Sequence, residues 1–176
     1  AGALTTAEGK LLVLDRLGGI YLYKNKRIRK LSFSAPNRLK EFILEFELSG
    51  HGGGGRKLAL STMRAHSIAY DKNTNKVFVS FTRFVETNIT RLAVASIKVD
   101  SDNFQPIGDW EFIFESDNLY SNAFDTHAGG GKILVHNNNL YVTVGYSEFD
   151  PKVVNGKMIS RAQDDDSTFG KIFKID

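Results

Sequence analysis

One histidine in this chain stands one alanine before a run of three glycines and an apolar segment, in Asp125-Thr-His-Ala-Gly-Gly-Gly-Lys-Ile-Leu-Val135. An imidazole changes charge near neutral pH, so His127 on an accessible loop can take a proton from a reacting hydroxyl. The glycines beside it let a ligand or another stretch of backbone come close. The plain alternative is a loop histidine whose ring is satisfied by backbone groups.

The remaining candidates for chemistry are weaker. His51, His66 and His136 make no close pair with each other or with His127 at metal-ligand spacing, which argues against zinc. Asp164-Asp165-Asp166 lacks the alternating oxygen ligands and central glycine of a calcium loop and reads as a solvated acidic turn. No metal ligand is therefore assigned. Gly50-His-Gly-Gly-Gly-Gly55 satisfies G-x-G-x-x-G, and Lys57 to His66 could pass for a helix. A phosphate cradle needs a βαβ unit around it, and no alternation of strands and helices follows, so this segment reads as a flexible loop between structural units. Asn88-Ile89-Thr90 is a formal glycosylation acceptor, relevant only in a eukaryotic secreted protein.

The elements that must position these residues read as strands. Thirteen Phe and six Tyr supply stiff side chains suited to pleated surfaces. Short apolar runs recur about every ten residues, separated by Gly, Asn, Asp and Ser. The first group is Lys10 to Asp15, Ile20 to Lys24, Arg27 to Phe33 and Glu41 to Leu48, the last predicted as a strand from its alternation of Phe42, Leu44, Phe46 and Leu48 with glutamates. The second is Ser67 to Tyr70, Lys76 to Thr82, Arg91 to Val99 and Trp110 to Phe114; the third is Lys132 to His136, Leu140 to Gly145 and, after a long polar loop, Phe169 to Ile175.

Tyr70 to Thr82 and Val135 to Gly145 share one frame of strand, Asx-rich turn and alternating strand, and Lys10 to Tyr23 follows it loosely. Four-stranded units at this spacing point to an all-β chain of antiparallel β-propeller blades. About three blades are expected, approximately 1–60, 61–120 and 121–176 of a single partial domain spanning 1–176. Propellers close with about four to eight blades, so three are about half a ring, and the faces of the first and last need further blades, from the same polypeptide or another chain.

Charge and composition exclude several classes. Net charge is +3, and the one dense basic run, Lys24 to Lys30, straddles a turn at Asn25, so no basic face for nucleic acid is built. No apolar stretch nears the ~18–20 residues that span a bilayer, and residues 1–10 lack the basic start and apolar run of a secretion signal. With no cysteine the chain suits either redox compartment.

Three motifs in order, His127-Ala-Gly-Gly-Gly-Lys-Ile, Leu140-Tyr-Val-Thr-Val-Gly145 and Ala162-Gln-Asp-Asp-Asp-Ser-Thr-Phe-Gly-Lys-Ile-Phe-Lys-Ile175, make the chain similar to the soluble glucose and sorbosone dehydrogenases. These are six-bladed propellers that use pyrroloquinoline quinone (PQQ). The resemblance implies a sugar or polyol dehydrogenase in a periplasmic or secreted setting, with His127 as the base that takes the hydroxyl proton. It also implies PQQ and calcium, most of whose binding groups come from later blades. By loop position Arg64, His66, Arg161 and Gln163 are the candidate cofactor-pocket residues. Two positions depart from the family pattern. Tyr146 stands where an aspartate commonly supports the base, leaving Glu148 as the nearest carboxylate, and Thr62-Met-Arg-Ala-His-Ser67 replaces a Gly-Gly-Leu-Leu-Gly context carrying Gln or Glu. The alternative these departures favour is a non-catalytic propeller that binds a protein or glycan.

Overall fold

The computed structural model of the protein describes residues 3–48, 63–86, 89–120, 130–145, 152–154, 157–159 and 161–176. The first sheet is a meander of β1 (Ala3–Ala7), β2 (Lys10–Leu14), β3 (Gly19–Lys24) and β4 (Arg27–Ser34). The helix α1 (Leu39–Leu48) follows it. The second sheet runs β5 (Ala65–Asp71), β6 (Lys76–Glu86), β7 (Ile89–Val99), β8 (Pro106–Glu115), with the two-residue β9 (Leu119–Tyr120) extending the β7 edge. The third sheet pairs β10 (Gly130–His136), β11 (Asn139–Val144) and β14 (Ile172–Ile175). What reads in sequence as a long polar loop contains a short hairpin of β12 (Lys152–Val154) and β13 (Lys157–Ile159).

The turns explain the registers. Glu8-Gly9, Asn25-Lys26 and Asn137-Asn138 each hold two successive residues at positive φ, the geometry that matches the twist of a two-residue hairpin. Asparagine tolerates that backbone and announces two of these turns. Glu8 does not announce the third, and β1, a short Ala-Leu-Thr-Thr-Ala segment, carries little apolar pattern. The first blade therefore begins one strand earlier than expected. Its inner hairpin is β1 and β2, and Lys10 to Tyr23 is the second and third strand.

The expected strand Glu41 to Leu48 is helix. Leu39, Phe42 and Ile43 lie on one helical face against Met63 and Phe84, and the Phe42 and Phe84 rings meet edge-on at 5.5 Å. Leu44, which a strand would bury together with Phe42, is 58% exposed. Helical spacing coexists with the alternation in this stretch, and the apolar end of β6 selects the helical face.

Packing distinguishes the middle blade from its neighbours. Val77, Val79, Phe81, Ala93, Ala95 and Ile97 join Leu12, Leu14, Ile20 and Leu22 in one core between the first two blades. Leu92 and Val94, on the opposite face, join Leu140, Val142 and Val144 in a second core, where the Phe114 and Phe173 rings lie 4.9 Å apart. Both faces of the middle sheet are thus covered, so β7 is buried without a break from Leu92 to Ile97. The outer blades alternate. Leu4, Ile28, Leu134 and Ile172 stand on faces that no described residue covers. Among the described residues no helix is long and apolar enough to cross a membrane.

Candidate functional site

The inner strands of the second and third blades start side by side. In β5 the ladder to β6 slips between Ala65 and Ser67, so His66 is left as an unpaired bulge residue. In β10 the ladder to β11 slips between Gly130 and Ile133, placing Gly131 and Lys132 in a second irregularity. A bulge bends the strand and re-aims its side chain. The two bulges touch. A Cβ added to Gly131 would lie 2.9 Å from both Cβ and Cγ of His66, and Gly131 sits at φ +85°. Only glycine fits both the space and the backbone there.

His66 is half-buried, and Nε2 is 2.9 Å from the Thr82 hydroxyl. Burial, then the charges of Arg64 and Lys132, lower its pKa to about 4. The ring is therefore neutral at pH 7, and Arg64 and Lys132 carry the positive charge of this corner. Because the folded state disfavours the imidazolium, unfolding takes up a proton below the ordinary His value of about 6.5. Stability contributed by the neutral ring is present above that pH and is lost as pH falls toward 4. Urea unfolding of the protein between pH 7 and 4.5 should show a loss of roughly 2 kcal/mol that His66→Gln removes; parallel pH curves for the two proteins would refute this.

Arg64 and His66 are thus brought to the end of the strand that follows His127. Its loop, with Tyr146, Glu148, Thr62 and Gly50–Gly55, lies outside the described residues. Gly130, three residues after His127, begins β10. Lys132, in the same motif, was not among the candidates. Its signal was a cation one step past three glycines, where the strand enters its bulge.

Arg161 and Gln163 open and close a short 3-10 turn at the same end of the blades. The Arg161 guanidinium stacks on Phe169 at 5.6 Å and lines a cleft of about 370 Å³ with Arg91, Ser116, Asp117 and Asn118. These described contacts lie beside the start of β7, not at His66. Asp117 is the anchor of this region. Its Oδ2 accepts from the Thr168 amide at 2.9 Å and from the Ser167 hydroxyl at 3.3 Å, and its own amide donates to Thr168 Oγ1 at 2.8 Å. The Ser-Thr-Phe-Gly stretch is therefore a clamp between second and third blades. Asp117→Ala should cost about 2 kcal/mol in equilibrium unfolding, since it removes acceptors from a charge-assisted pair; an unchanged midpoint would show the clamp idle.

The positive pair Arg64 and Lys132 beside neutral His66 fits a ligand that bears carboxylates, as PQQ does. Among the described residues no three His, Asp or Glu side chains converge to hold a metal ion, so they build no calcium site.

Three antiparallel sheets, packed face to face with their inner strands side by side, define a partial β-propeller. The chain belongs to the glucose/sorbosone dehydrogenase family, whose profile matches residues 3–176. Among solved structures, a glucose dehydrogenase superposes with a TM-score of 0.69 at 17% identity, covering 99% of this chain and 46% of its own. A second glucose dehydrogenase gives 0.67 at 17%, with 98% and 43% covered. The soluble aldose sugar dehydrogenase of Escherichia coli, solved in its apo form, gives 0.63 at 14%, with 98% and 43% covered. The chain therefore spans less than half the length of these structures. No curated protein matches in sequence.

Proposed function

We propose that this chain is the base-bearing part of a quinone-dependent dehydrogenase of sugars or polyols, organised as blades of about 1–60, 61–120 and 121–176 and completed by the remaining blades of the ring. The observation that carries the reading is the pair of touching bulges, which sets Arg64, His66 and Lys132 beside the segment that leads out of His127. His127 takes the substrate hydroxyl proton, which makes the carbinol hydrogen a better hydride donor. Arg64 and Lys132 hold carboxylates of PQQ, and His66, kept neutral, presents its ring without adding charge. Arg161 and Gln163 stay candidates by loop position, with the cleft that Arg161 lines beside the start of β7 as a separate part of the same surface. PQQ, when bound, is the acceptor of the hydride. Calcium is expected from residues of other blades, and the setting is periplasmic or secreted, as for the family.

Tyr146 favours a second reading, a propeller without turnover that binds a protein or glycan, because no carboxylate stands directly after Gly145, the residue that follows β11. Titrating PQQ and calcium into the full-length protein, with absorbance and dye-coupled turnover on aldoses, separates the two. Binding with turnover supports the dehydrogenase; absence of binding under all conditions refutes it.

A further inference from the structure

Thr82, on β6, is buried and holds the residues on either side of Ala65 at once: its amide donates to the Arg64 carbonyl at 2.7 Å, and its hydroxyl meets Nε2 of His66 at 2.9 Å. A buried hydroxyl is costly unless it is bonded, and a valine would fill this strand position without that demand. Ser80, two residues earlier on the same sheet face, gives its hydroxyl hydrogen to the Gly131 carbonyl. Thr82 reaches no carbonyl: among the described residues Nε2 of His66 is the one partner of its hydroxyl. A buried hydroxyl hydrogen without an acceptor is unfavourable, so Thr82 donates and Nε2 accepts. With the ring neutral at pH 7, the imidazole hydrogen then sits on Nδ1. Nδ1 bonds to no described residue, and the two charges beside the ring, Arg64 and Lys132, are donors with no acceptor to offer it. Three donors share this corner, two charged and one neutral.

We infer that Thr82 is a positioning residue for the cofactor corner: by donating to Nε2 it fixes His66 as the Nδ1–H tautomer, which offers a neutral donor to a carboxylate of the ligand beside Arg64 and Lys132. This deepens the reading of the corner as a site for the carboxylates of PQQ and rests on it. A carboxylate accepts from all three groups, whereas the other tautomer would set the lone pair of Nδ1 against it. Thr82 acts through the ring of His66, and its amide keeps the Arg64 backbone in the same place.

The test uses the full-length protein and two readouts. In the cofactor-free state at pH 7, long-range proton–nitrogen correlation NMR of the imidazoles, with His66 assigned through His66→Gln, should show the hydrogen on Nδ1 and none on Nε2. Thr82→Val, which keeps the branched shape and removes the donor, should move His66 to the Nε2–H form or to an averaged mixture of the two. Thr82→Ser, which keeps the hydroxyl, should retain the wild-type tautomer. The second readout is the Kd of PQQ in the presence of calcium, which should rise about tenfold in Thr82→Val and stay within about twofold in Thr82→Ser. An Nε2–H ring in the wild type, or an unchanged tautomer in Thr82→Val, overturns the role of Thr82. A changed tautomer with an unchanged Kd overturns its bearing on the ligand. If Thr82→Val does not fold, Thr82→Ala is judged by the same two readouts. Wild-type protein that binds no PQQ while His66 carries its hydrogen on Nδ1 instead overturns the cofactor reading and leaves the tautomer assignment standing.

Discussion

Full-length protein carrying His127→Ala is expected to lose about 10²- to 10⁴-fold in turnover on aldoses while keeping its thermal midpoint, the range a positioned general base contributes. The described strand pairings and the two cores are built from other residues, so their stability should be untouched. The effect should fall on kcat and kcat/KM together, because the proton is transferred in the transition state and not on binding. The acid limb of the wild-type pH profile reports the histidine, since the protonated ring cannot accept. Raising pH should therefore restore activity to the wild type and do nothing for the variant. Turnover retained within about threefold, with an unaltered pH profile, would remove His127 from the chemistry.

Gly131→Ala should be among the most destabilising single substitutions in the chain, costing about 3 kcal/mol or more. Two independent terms add. A side chain at φ +85° sits in left-handed backbone, which costs an L-residue roughly 1–2 kcal/mol. The new Cβ would also lie 2.9 Å from two carbons of His66 and 3.0 Å from Leu92 Cδ1, and relieving such an overlap in a packed seam costs about 1–3 kcal/mol. His66 cannot swing away without giving up Thr82. Chemical denaturation gives the first check, and a loss below about 1 kcal/mol would mean that the two bulges do not meet as tightly as described. His66→Ala beside Gly131→Ala should restore only part of the loss, because it removes the Cγ overlap and the rest of the ring but keeps the Cβ of residue 66 and Leu92 Cδ1 in place.

Most strands of the propeller were legible because each blade repeats a frame that elementary physics imposes. An Asx turn accepts positive φ, as at Asn137 and Asn138, and the strand after it alternates, as Leu140, Val142 and Val144 do against Tyr141 and Thr143. The strand β1 was not legible, since Glu8 is an unusual residue for its turn and one leucine among four small or polar residues shows no period. The helix α1 was misread because Phe42, Leu44, Phe46 and Leu48 satisfy a strand's alternation, and only the exposure of Leu44 shows which period is used.

The candidate site divides along the same line. Glycines before an apolar strand and a histidine before the glycines are local signals, so His127 and the loop around it could be named from residue types alone. That His66 belongs beside Gly131, and that its pKa falls to about 4, depends on a bulge in one blade meeting a bulge in the next across 65 residues of chain. Lys132 had one local mark, its place just past three glycines, whereas the Ser80 hydroxyl that donates to the Gly131 carbonyl has none. Hydrogen-bond and charge partners between blades are set by the packing of sheet on sheet, and no spacing within either strand encodes them. Sequence thus determined the strands, the turns and the loop that carries the histidine, through backbone preference and side-chain alternation. The tertiary structure alone decided which residues surround Gly130 and Gly131, because only face-to-face packing brings the two strand ends together.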